Sequence, residues 1–192
     1  LKKEITDTLG KFGSILSGHP TIEVPGIEVN TGALGHGLSI GVGMALAAKM
    51  DKRNYKTFVM MGDGEQGEGS IYEAAMAGHQ YKLDNLVAII DRNHLQISGN
   101  TEDVMAIEDI AARWTAFGWD VKRMDGDDME DIMKTFAAID YTNHKPHLLI
   151  SNTTKGKGVS YMENVAKWHH GMPSEEQYRQ ALSEIDERIK NL

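Results

Sequence analysis

The 192-residue sequence predicts an α/β domain: a doubly wound, mostly parallel sheet with helices on both faces. Two observations predict this class. Short apolar runs stop at glycine or polar residues, and amphipathic patterns of helical period lie between them. Apolar residues make up 41% of the chain and charged residues 25%, as in ordinary globular proteins. We expect a single domain over residues 1–192, because a chain of this length can bury one full core.

The strand predictions rest on four runs. Residues 56–61 and 86–90 are apolar on both faces, which is typical of buried parallel strands. Weaker candidates lie at 119–124 and 147–151. Ligands of such sheets bind beyond the carboxyl ends of the strands, so the first two strands direct the residues after them towards one site.

The helix predictions rest on five segments. Residues 37–50 are almost wholly small or apolar and predict a buried helix, and a second helix follows the turn at 62–67. Two further patterns lie at 107–117 and 129–136. A capping box at 174–177 opens the last helix. The stripe of that helix predicted to be buried comprises Tyr178, Ala181, Leu182, Ile185 and Ile189.

The composition excludes several classes of function. The formal net charge is −8 and no run of Lys and Arg occurs, so we expect neither nucleic acid nor an anionic membrane as a partner. The chain has no cysteine, which excludes disulfides, thiolate metal sites and cysteine nucleophiles and is compatible with the cytoplasm. No apolar run approaches the ~20 residues that a membrane-spanning helix needs.

The most informative segment is Gly-Asp-Gly-Glu-Gln-Gly at 62–67. It matches G-x-G-x-x-G, and Asp91 ends the next strand where a ribose-binding acid belongs, so a dinucleotide-binding domain is one alternative. Asp63 argues against it, because at ~4 Å its carboxylate would repel a bound phosphate by about 4 kcal/mol at an effective dielectric of about 20. A divalent cation between Asp63 and the phosphates turns this repulsion into attraction, and Mg²⁺ suits such hard oxygen ligands.

Asn93 is the second predicted ligand. It follows the neighbouring strand and is separated from Gly64 by residues 65–92, the length of one helix and one return strand. Gly-Asp-Gly alone is often an ordinary tight turn. Paired with an amide oxygen at this spacing, it predicts a magnesium site for a diphosphate.

These residues and their surroundings resemble the transketolase family, whose thiamine diphosphate signature runs from Gly-Asp-Gly to an Asn. The motifs that carry the resemblance are Gly18-His19-Pro20, Thr31-Gly32-Ala33-Leu34-Gly35-His36-Gly37, Glu73-Ala74, Ala77-Gly78-His79, Asp91 to Gly99, and His170-Gly171. The similarity covers nearly the whole chain and is greatest to the amino-terminal subunit of a split transketolase. The alpha subunits of 2-oxo acid dehydrogenases share only Gly-Asp-Gly and Asn, so they are a weaker alternative.

The resemblance implies a role for each site residue. Magnesium would be bound by the Asp63 and Asn93 side chains and by the carbonyl of Leu95. His19 and His170 would be catalytic, facing substrate and diphosphate as hydrogen-bond donors or proton carriers. The cofactor-binding residues would be Gly32, Leu34, Gly62, Gly64 (through its N–H), Glu68, Asn93 and Ile97.

The resemblance also implies the reaction and the partner. A two-carbon ketol unit would pass from a ketose phosphate, or a related sulfonated or branched sugar, to an aldose through thiamine diphosphate and Mg²⁺. The pyrimidine-binding domain would be a separate carboxy-terminal subunit, and Glu68 would join a carboxylate network across the subunit interface. We expect a heterotetramer with two copies of each subunit, a family segment upstream of Leu1, and no activity from this chain alone.

Three features depart from the family pattern or stay open. Ala33 and His36 replace a proline and a glutamine of the family motif, and we expect His36 to change a polar contact rather than the mechanism. His169 and His170 are either a surface pair or, for His170, a site residue. Lys-Gly-Lys-Gly at 155–158 lacks the spacing of a nucleotide P-loop and is either a loop near the site or a solvated turn.

Overall fold

The structure is a computed structural model that describes residues 3–190, so residues 1–2 and 191–192 of the predicted domain lie outside it. Its main sheet contains four parallel strands, and a two-stranded antiparallel hairpin follows the second of them. The strands in chain order are β1 (Thr57–Gly62), β2 (Leu86–Arg92), the hairpin strands β3 (Leu95–Gln96) and β4 (Gly99–Asn100), β5 (Asp120–Asp125) and β6 (His147–Asn152).

The main sheet has the spatial order β1-β2-β6-β5. The four predicted strands are therefore all present, and each neighbouring pair in the sheet is parallel. β6, which follows the other strands in the chain, lies inside the sheet between β2 and β5. This reversal of direction is what makes the sheet doubly wound.

The described residues form six α-helices around the sheet: α1 (Gly37–Met50), α2 (Gly69–Gln80), α3 (Thr101–Val104), α4 (Ile110–Ala116), α5 (Met129–Ala137) and α6 (Glu175–Lys190). Short 3₁₀ helices cover Lys3–Thr8, Gly64–Gly67 and Ala166–His169. The helix predicted over 107–117 begins only after Asp109, because the Asp109 carboxylate accepts hydrogen bonds from the N–H groups of Ala111 and Ala112 and caps the helix there. None of the helices within residues 3–190 has the length and apolar character needed to cross a lipid bilayer.

Helices pack on both faces of the sheet, as predicted. On one face, α1, α2 and α4 contribute residues such as Val42, Ile71 and Trp114 to the main core. On the other face, α5 packs Ile132 and Phe136 near β2 and β6. Alternate residues of β2 point to the two cores, which explains why this strand is apolar throughout.

Two predicted buried surfaces are only partly buried. The outer face of β1 exposes Phe58 and Met60, 51% and 64% respectively, because α5 covers only the part of that face near Phe136. α1 buries one side, including Leu38 and Ala45, and exposes Ile40 and other residues of its opposite side. The helix predicted to be buried over 37–50 is therefore buried on one side only.

The apolar stripe of α6 is also not buried. Its capping box is confirmed, since the N–H of Gln177 donates to the Ser174 hydroxyl at 3.2 Å and the N–H of Ser174 donates to the Gln177 side chain at 2.9 Å. The loop before α6 holds the helix mainly by polar contacts, such as the Ser160 hydroxyl to Glu184 at 2.6 Å. The predicted stripe is therefore largely exposed: Tyr178 51%, Leu182 44%, Ile185 41% and Ile189 62%, with Ala181 half-buried.

Candidate active site

Strands β1 and β2 end side by side. Gly62 pairs with Asp91, and the N–H of Asp63 donates to the carbonyl of Asp91 at 3.2 Å. The residues after both strands line a cavity of about 410 Å³ at the carboxyl edge of the sheet. Seven predicted site residues line it: Leu34, Gly62, Asp63, Gly64, Asn93, Leu95 and Ile97.

Asp63 is almost fully buried at this edge, with 1% of its surface exposed. Its Oδ1 accepts a hydrogen bond from the N–H of Gly64 at 2.7 Å. Its Oδ2 accepts two, from Nη1 of Arg92 at 2.8 Å and from the N–H of His94 at 2.7 Å. The carboxylate is thus held in one orientation, and Oδ1 keeps more free acceptor capacity than Oδ2.

Asn93 is held from both ends of its amide. Its Nδ2 donates to Asp91 at 2.9 Å, and its Oδ1 accepts the N–H of Leu95 at 3.1 Å. The Thr153 hydroxyl donates to the other carboxylate oxygen of Asp91, so the partner of Asn93 is itself fixed by the residue after β6. An amide oxygen accepts two hydrogen bonds, and among the described residues Oδ1 of Asn93 therefore retains one free lone pair in the cavity wall.

The glycine loop, residues 32–37, reaches the cavity from a different element. Glu65 bridges it to β1, because its carboxylate accepts the N–H of Gly35 at 2.8 Å and the N–H of Gly62 at 3.1 Å. The Ser70 hydroxyl donates to the Gly35 carbonyl at 2.9 Å. Gly35 has φ +79°, and a Cβ there would lie 2.6 Å from Cβ of Glu68, so this position requires glycine.

Two exposed apolar side chains line the cavity. Leu34 projects from the glycine loop and is 60% exposed, and Ile97 projects from the β3–β4 hairpin and is 65% exposed. Apolar groups on a cavity wall beside fixed polar atoms are typical of sites for small organic ligands. Their positions suit the ring-lining role that the resemblance implies.

His19 and Gly32 lie in a neighbouring cavity of about 470 Å³. Leu34 and Glu65 line both cavities. The His19 ring packs against Gly32, where a Cβ would lie 3.2 Å from Cγ of the ring, and Gly32 has φ +119°. The structure thus groups His19 with Gly32 and Leu34 in a cavity that shares Leu34 and Glu65 with the cavity of Asp63.

Lys155 and His169 line the cavity together with Asp63 and Asn93. The His170 ring lies 6.1 Å from the His169 ring, and His170 does not line this cavity. Partial burial lowers the pKa of His169, and the nearby Lys155 ammonium and His170 ring lower it further, which favours the neutral imidazole. The resemblance selected His170, whereas the geometry brings its neighbour to the cavity.

Lys155 places the Lys-Gly-Lys-Gly segment near the site, although Gly156 and Lys157 of the same turn are exposed to solvent. The ammonium of Lys155 has no ion-pair partner among residues 3–190, whereas Lys157 pairs with Asp127 at 3.5 Å. A half-buried cation without a counter-ion in a cavity wall favours an anionic ligand.

Glu68 lies outside this cavity. It is exposed where α2 begins, and its side chain does not cap the helix. Gly64 lies in the cavity wall, but its N–H donates to Asp63. A Cβ at Gly64 would lie 2.9 Å from Cβ of Gln96, so the close approach of the hairpin accounts for this glycine.

Several residues in or directly behind the cavity wall were not assigned a role from the sequence, among them Glu65, Arg92, Gln96, Thr153 and His169. Arg92 carried one available signal, because it stands between Asp91 and Asn93 at the end of a buried strand. A cation in that position needs carboxylate partners. The contacts of Glu65 and Thr153 join segments far apart in sequence, so no local pattern could indicate them.

Comparison with known proteins identifies the family. The family model for the transketolase thiamine diphosphate-binding domain matches residues 3–185. The crystal structure of transketolase from Campylobacter jejuni superposes with a TM-score of 0.89 at 33% identity, covering 95% of this chain and 30% of that one. The fold and the site thus define a thiamine diphosphate-binding domain, and the chain belongs to the transketolase family. The dinucleotide-binding alternative is not favoured.

The more similar relatives are separate subunits. An apulose-4-phosphate transketolase subunit from Phocaeicola vulgatus is 77% identical over 192 residues, which are all of this chain and 68% of that protein. A 6-deoxy-6-sulfo-D-fructose transketolase subunit from a Clostridium species is 38% identical over 184 residues, or 95% of this chain and 67% of that one. The chain is thus a transketolase-type subunit that spans about two thirds of these relatives.

Proposed function

We propose that this chain is the thiamine diphosphate-binding subunit of a two-subunit transketolase whose ketose donor is apulose 4-phosphate. The observation that carries the proposal is the 77% identity, across the whole chain, to a relative named for that activity. The cavity at the ends of β1 and β2 supports it, since fixed oxygen ligands, apolar side chains and the Lys155 ammonium line one space.

The donor set fits Mg²⁺. Asp63 and Asn93 each offer an oxygen with acceptor capacity left, and Mg²⁺ is commonly bound by one or two protein oxygens together with phosphate oxygens. No group of three His, Asp or Glu side chains suited to a metal occurs among residues 3–190, which agrees with such a shared site. Oε1 of Gln96 is buried in the same wall with no hydrogen-bond partner in the described chain, an acceptor that a bound group would satisfy.

The residues of this chain would bind the metal ion and the cofactor and hold them in one orientation. Asp63, Asn93 and the carbonyl of Leu95 would hold the ion, and Lys155 would offset the charge of the diphosphate. When bound, thiamine diphosphate supplies the carbon nucleophile and the electron sink for carbon–carbon cleavage. His169, whose neutral form is favoured, is suited to donate or accept a hydrogen bond from the cavity wall.

The proposal includes proton transfer by histidines. His19 lies in the adjoining cavity beside Leu34, where it would face the sugar. His170 would join it once the partner subunit completes the site, as the resemblance implies. Imidazole rings suit the exchange of protons with the hydroxyl groups of a sugar, because an imidazole can both donate and accept a hydrogen bond.

The partner would supply the pyrimidine-binding domain. The relatives with higher identity are named as subunits, which implies a second subunit in those enzymes. We propose the same division here, with two copies of each chain, Glu68 at the interface between them, and a cytoplasmic location. An apolar ring system bound to Leu34 and Ile97 would then be enclosed by the partner.

The proposal is tested by cofactor-dependent stabilisation of the complex co-expressed with its partner. Thiamine diphosphate with Mg²⁺ at 100 times its Kd should add about 2.7 kcal/mol of stability. Asp63→Ala should abolish this Mg²⁺-dependent gain and Asn93→Ala should weaken it. Asp103→Ala, which removes an exposed carboxylate of α3, serves as the control and should keep the gain.

Two results would contradict the assignment. Stabilisation by NAD but not by thiamine diphosphate would restore the dinucleotide interpretation. Full Mg²⁺-dependent affinity in Asp63→Ala would remove the metal-ligand role. The substrate is tested by turnover of apulose 4-phosphate with an aldose acceptor, and activity confined to sulfonated or other ketoses would refute that part alone.

A further inference from the structure

A buried ion-pair network lies behind Asp63. The Arg92 side chain is 2% exposed and donates from all three of its nitrogens: Nη1 to Asp63 at 2.8 Å, Nη2 to Glu102 at 2.8 Å and Nε to Glu108 at 3.2 Å. Asp63 is as deeply buried as Arg92, whereas about a third of each glutamate side chain is exposed. The guanidinium thus joins Asp63, which follows β1, to Glu102 and Glu108, which lie between the β3–β4 hairpin and α4.

The two glutamates have further donors of their own. Oε2 of Glu102 accepts the N–H of Ile107 at 3.3 Å, and Oε2 of Glu108 accepts the N–H of Ile110 at 3.0 Å. The two glutamates are therefore held by the backbone of Ile107 and Ile110, and the side chains of these isoleucines are part of the main core. Arg92 is anchored on that segment through Nε and Nη2 and presents Nη1 to Asp63.

The contact with Arg92 differentiates the two oxygens of Asp63. Oδ2 is used by Arg92 and by the N–H of His94, whereas within the described chain Oδ1 accepts the N–H of Gly64 alone. A carboxylate without the Arg92 contact could rotate about its Cβ–Cγ bond and exchange the oxygens. Fixed orientation of a ligand is what outer-shell partners of metal sites provide.

We infer that Arg92 is a positioning residue for the metal site: it fixes the Asp63 carboxylate so that Oδ1 is the oxygen offered to Mg²⁺. The inference rests on the proposed function, because it assigns a role toward the same ion. It predicts that Arg92 acts on the Mg²⁺ requirement through Asp63, while Glu102 and Glu108 contribute to the anchor and not to the ion.

The test measures the Mg²⁺ concentration that half-saturates thiamine diphosphate binding to the complex with the partner subunit. Binding is followed by calorimetry at saturating cofactor and below the melting temperature of every variant. Arg92→Lys keeps the charge but loses the three-way fork, and should raise the half-saturating Mg²⁺ concentration about 10- to 100-fold. Glu102→Gln removes the charge of a different partner of Arg92 but keeps an oxygen that can accept from Nη2, so it should leave that concentration within about 3-fold of the wild type.

A second variant covers the outcome in which Arg92→Lys does not fold. The double variant Arg92→Met with Glu102→Gln removes one positive and one negative charge, so the local net charge is unchanged and Met fills the buried space. It should show the same 10- to 100-fold increase. An unchanged Mg²⁺ requirement in either Arg92 variant, or an equal increase in Glu102→Gln alone, overturns the inference.

The experiment separates this inference from the proposed function. If the wild-type complex shows no Mg²⁺-dependent binding of thiamine diphosphate, the proposed function fails and the role of Arg92 toward the ion fails with it. If the wild type binds normally and the Arg92 variants do too, only the inference about Arg92 is wrong.

Discussion

Glu65 is the residue whose removal should most clearly uncouple the glycine loop from the sheet. Its carboxylate accepts hydrogen bonds from two backbone groups, the N–H of Gly35 at 2.8 Å and that of Gly62 at 3.1 Å. Gly35 is buried, so its N–H has little access to water after the acceptor is lost. We predict that Glu65→Ala destabilises the protein and weakens cofactor binding together.

The magnitude follows from the two bonds. A hydrogen bond to a charged group contributes about 1.5–3 kcal/mol, and Glu65 is half-buried, which favours the lower end. Loss of both bonds should therefore lower the free energy of unfolding by about 3–4 kcal/mol. Glu65→Gln keeps one acceptor oxygen and turns its amide group towards the other N–H. We therefore expect this variant to lose about 1–2 kcal/mol of the free energy of unfolding.

Urea denaturation followed by tryptophan fluorescence measures these changes, because Trp114 and Trp119 are buried in the main core. Glu73→Ala is the matched control: Glu73 is an exposed glutamate of α2, and its loss should change stability by less than about 0.5 kcal/mol. The reasoning is refuted if Glu65→Ala is no less stable than Glu73→Ala.

Three further predictions concern other parts of the molecule. Gly41→Ala should destabilise by about 1–3 kcal/mol because a Cβ would overlap β1, whereas Gly43→Ala on the open side of α1 should stabilise by about 0.5–1 kcal/mol; equal urea midpoints would contradict this. Burial lowers the pKa of His147 despite its contact with an aspartate, so the unfolded chain binds the proton first and stability should fall as pH drops below about 6.5. His147→Asn should flatten that part of the pH profile, measured by urea midpoints from about pH 8 to about pH 5.5, and an unaltered slope would be evidence against it. Lys155→Met should weaken thiamine diphosphate binding about tenfold in calorimetry, while Lys157→Met should not, and equal effects would remove the assigned role of Lys155.

The fold was predictable because its signals are local. Each strand is a short apolar run, and Asp109, Asp128 and Ser174 each mark the start of a helix with a side-chain cap. What the sequence could not supply is the surroundings of each apolar face. Met60 of β1 and the stripe of α6 are as apolar as core residues, yet the described chain places little against them.

The residues of the candidate site also divide into those that a local sequence pattern indicates and those that it does not. Asp63 and Asn93 were predictable, since each follows a strand and parallel strands end at one edge of a sheet. Glu65 and Thr153 were not, because their partners lie 30 and 62 positions away in the chain. The choice between His169 and His170 depends on how the backbone turns after the 3₁₀ helix at 166–169, which no pattern of residue types determines.

The energetics of the Arg92 network argue for a role in the site rather than in stability. Desolvating a guanidinium and a carboxylate such as Arg92 and Asp63 costs several kcal/mol per ion before any attraction is counted. Apolar side chains of similar volume often stabilise a protein as well as or better than such a pair. The network holds three carboxylates around one cation, so its local charge is negative and a divalent ion beside Asp63 would offset it. The Arg92–Asp63 pair is buried and the two glutamates are partly exposed, so the desolvation cost falls on the pair that faces the proposed ion. The Mg²⁺ requirement of the Arg92 variants is therefore the measurement that connects the fold to the proposed chemistry.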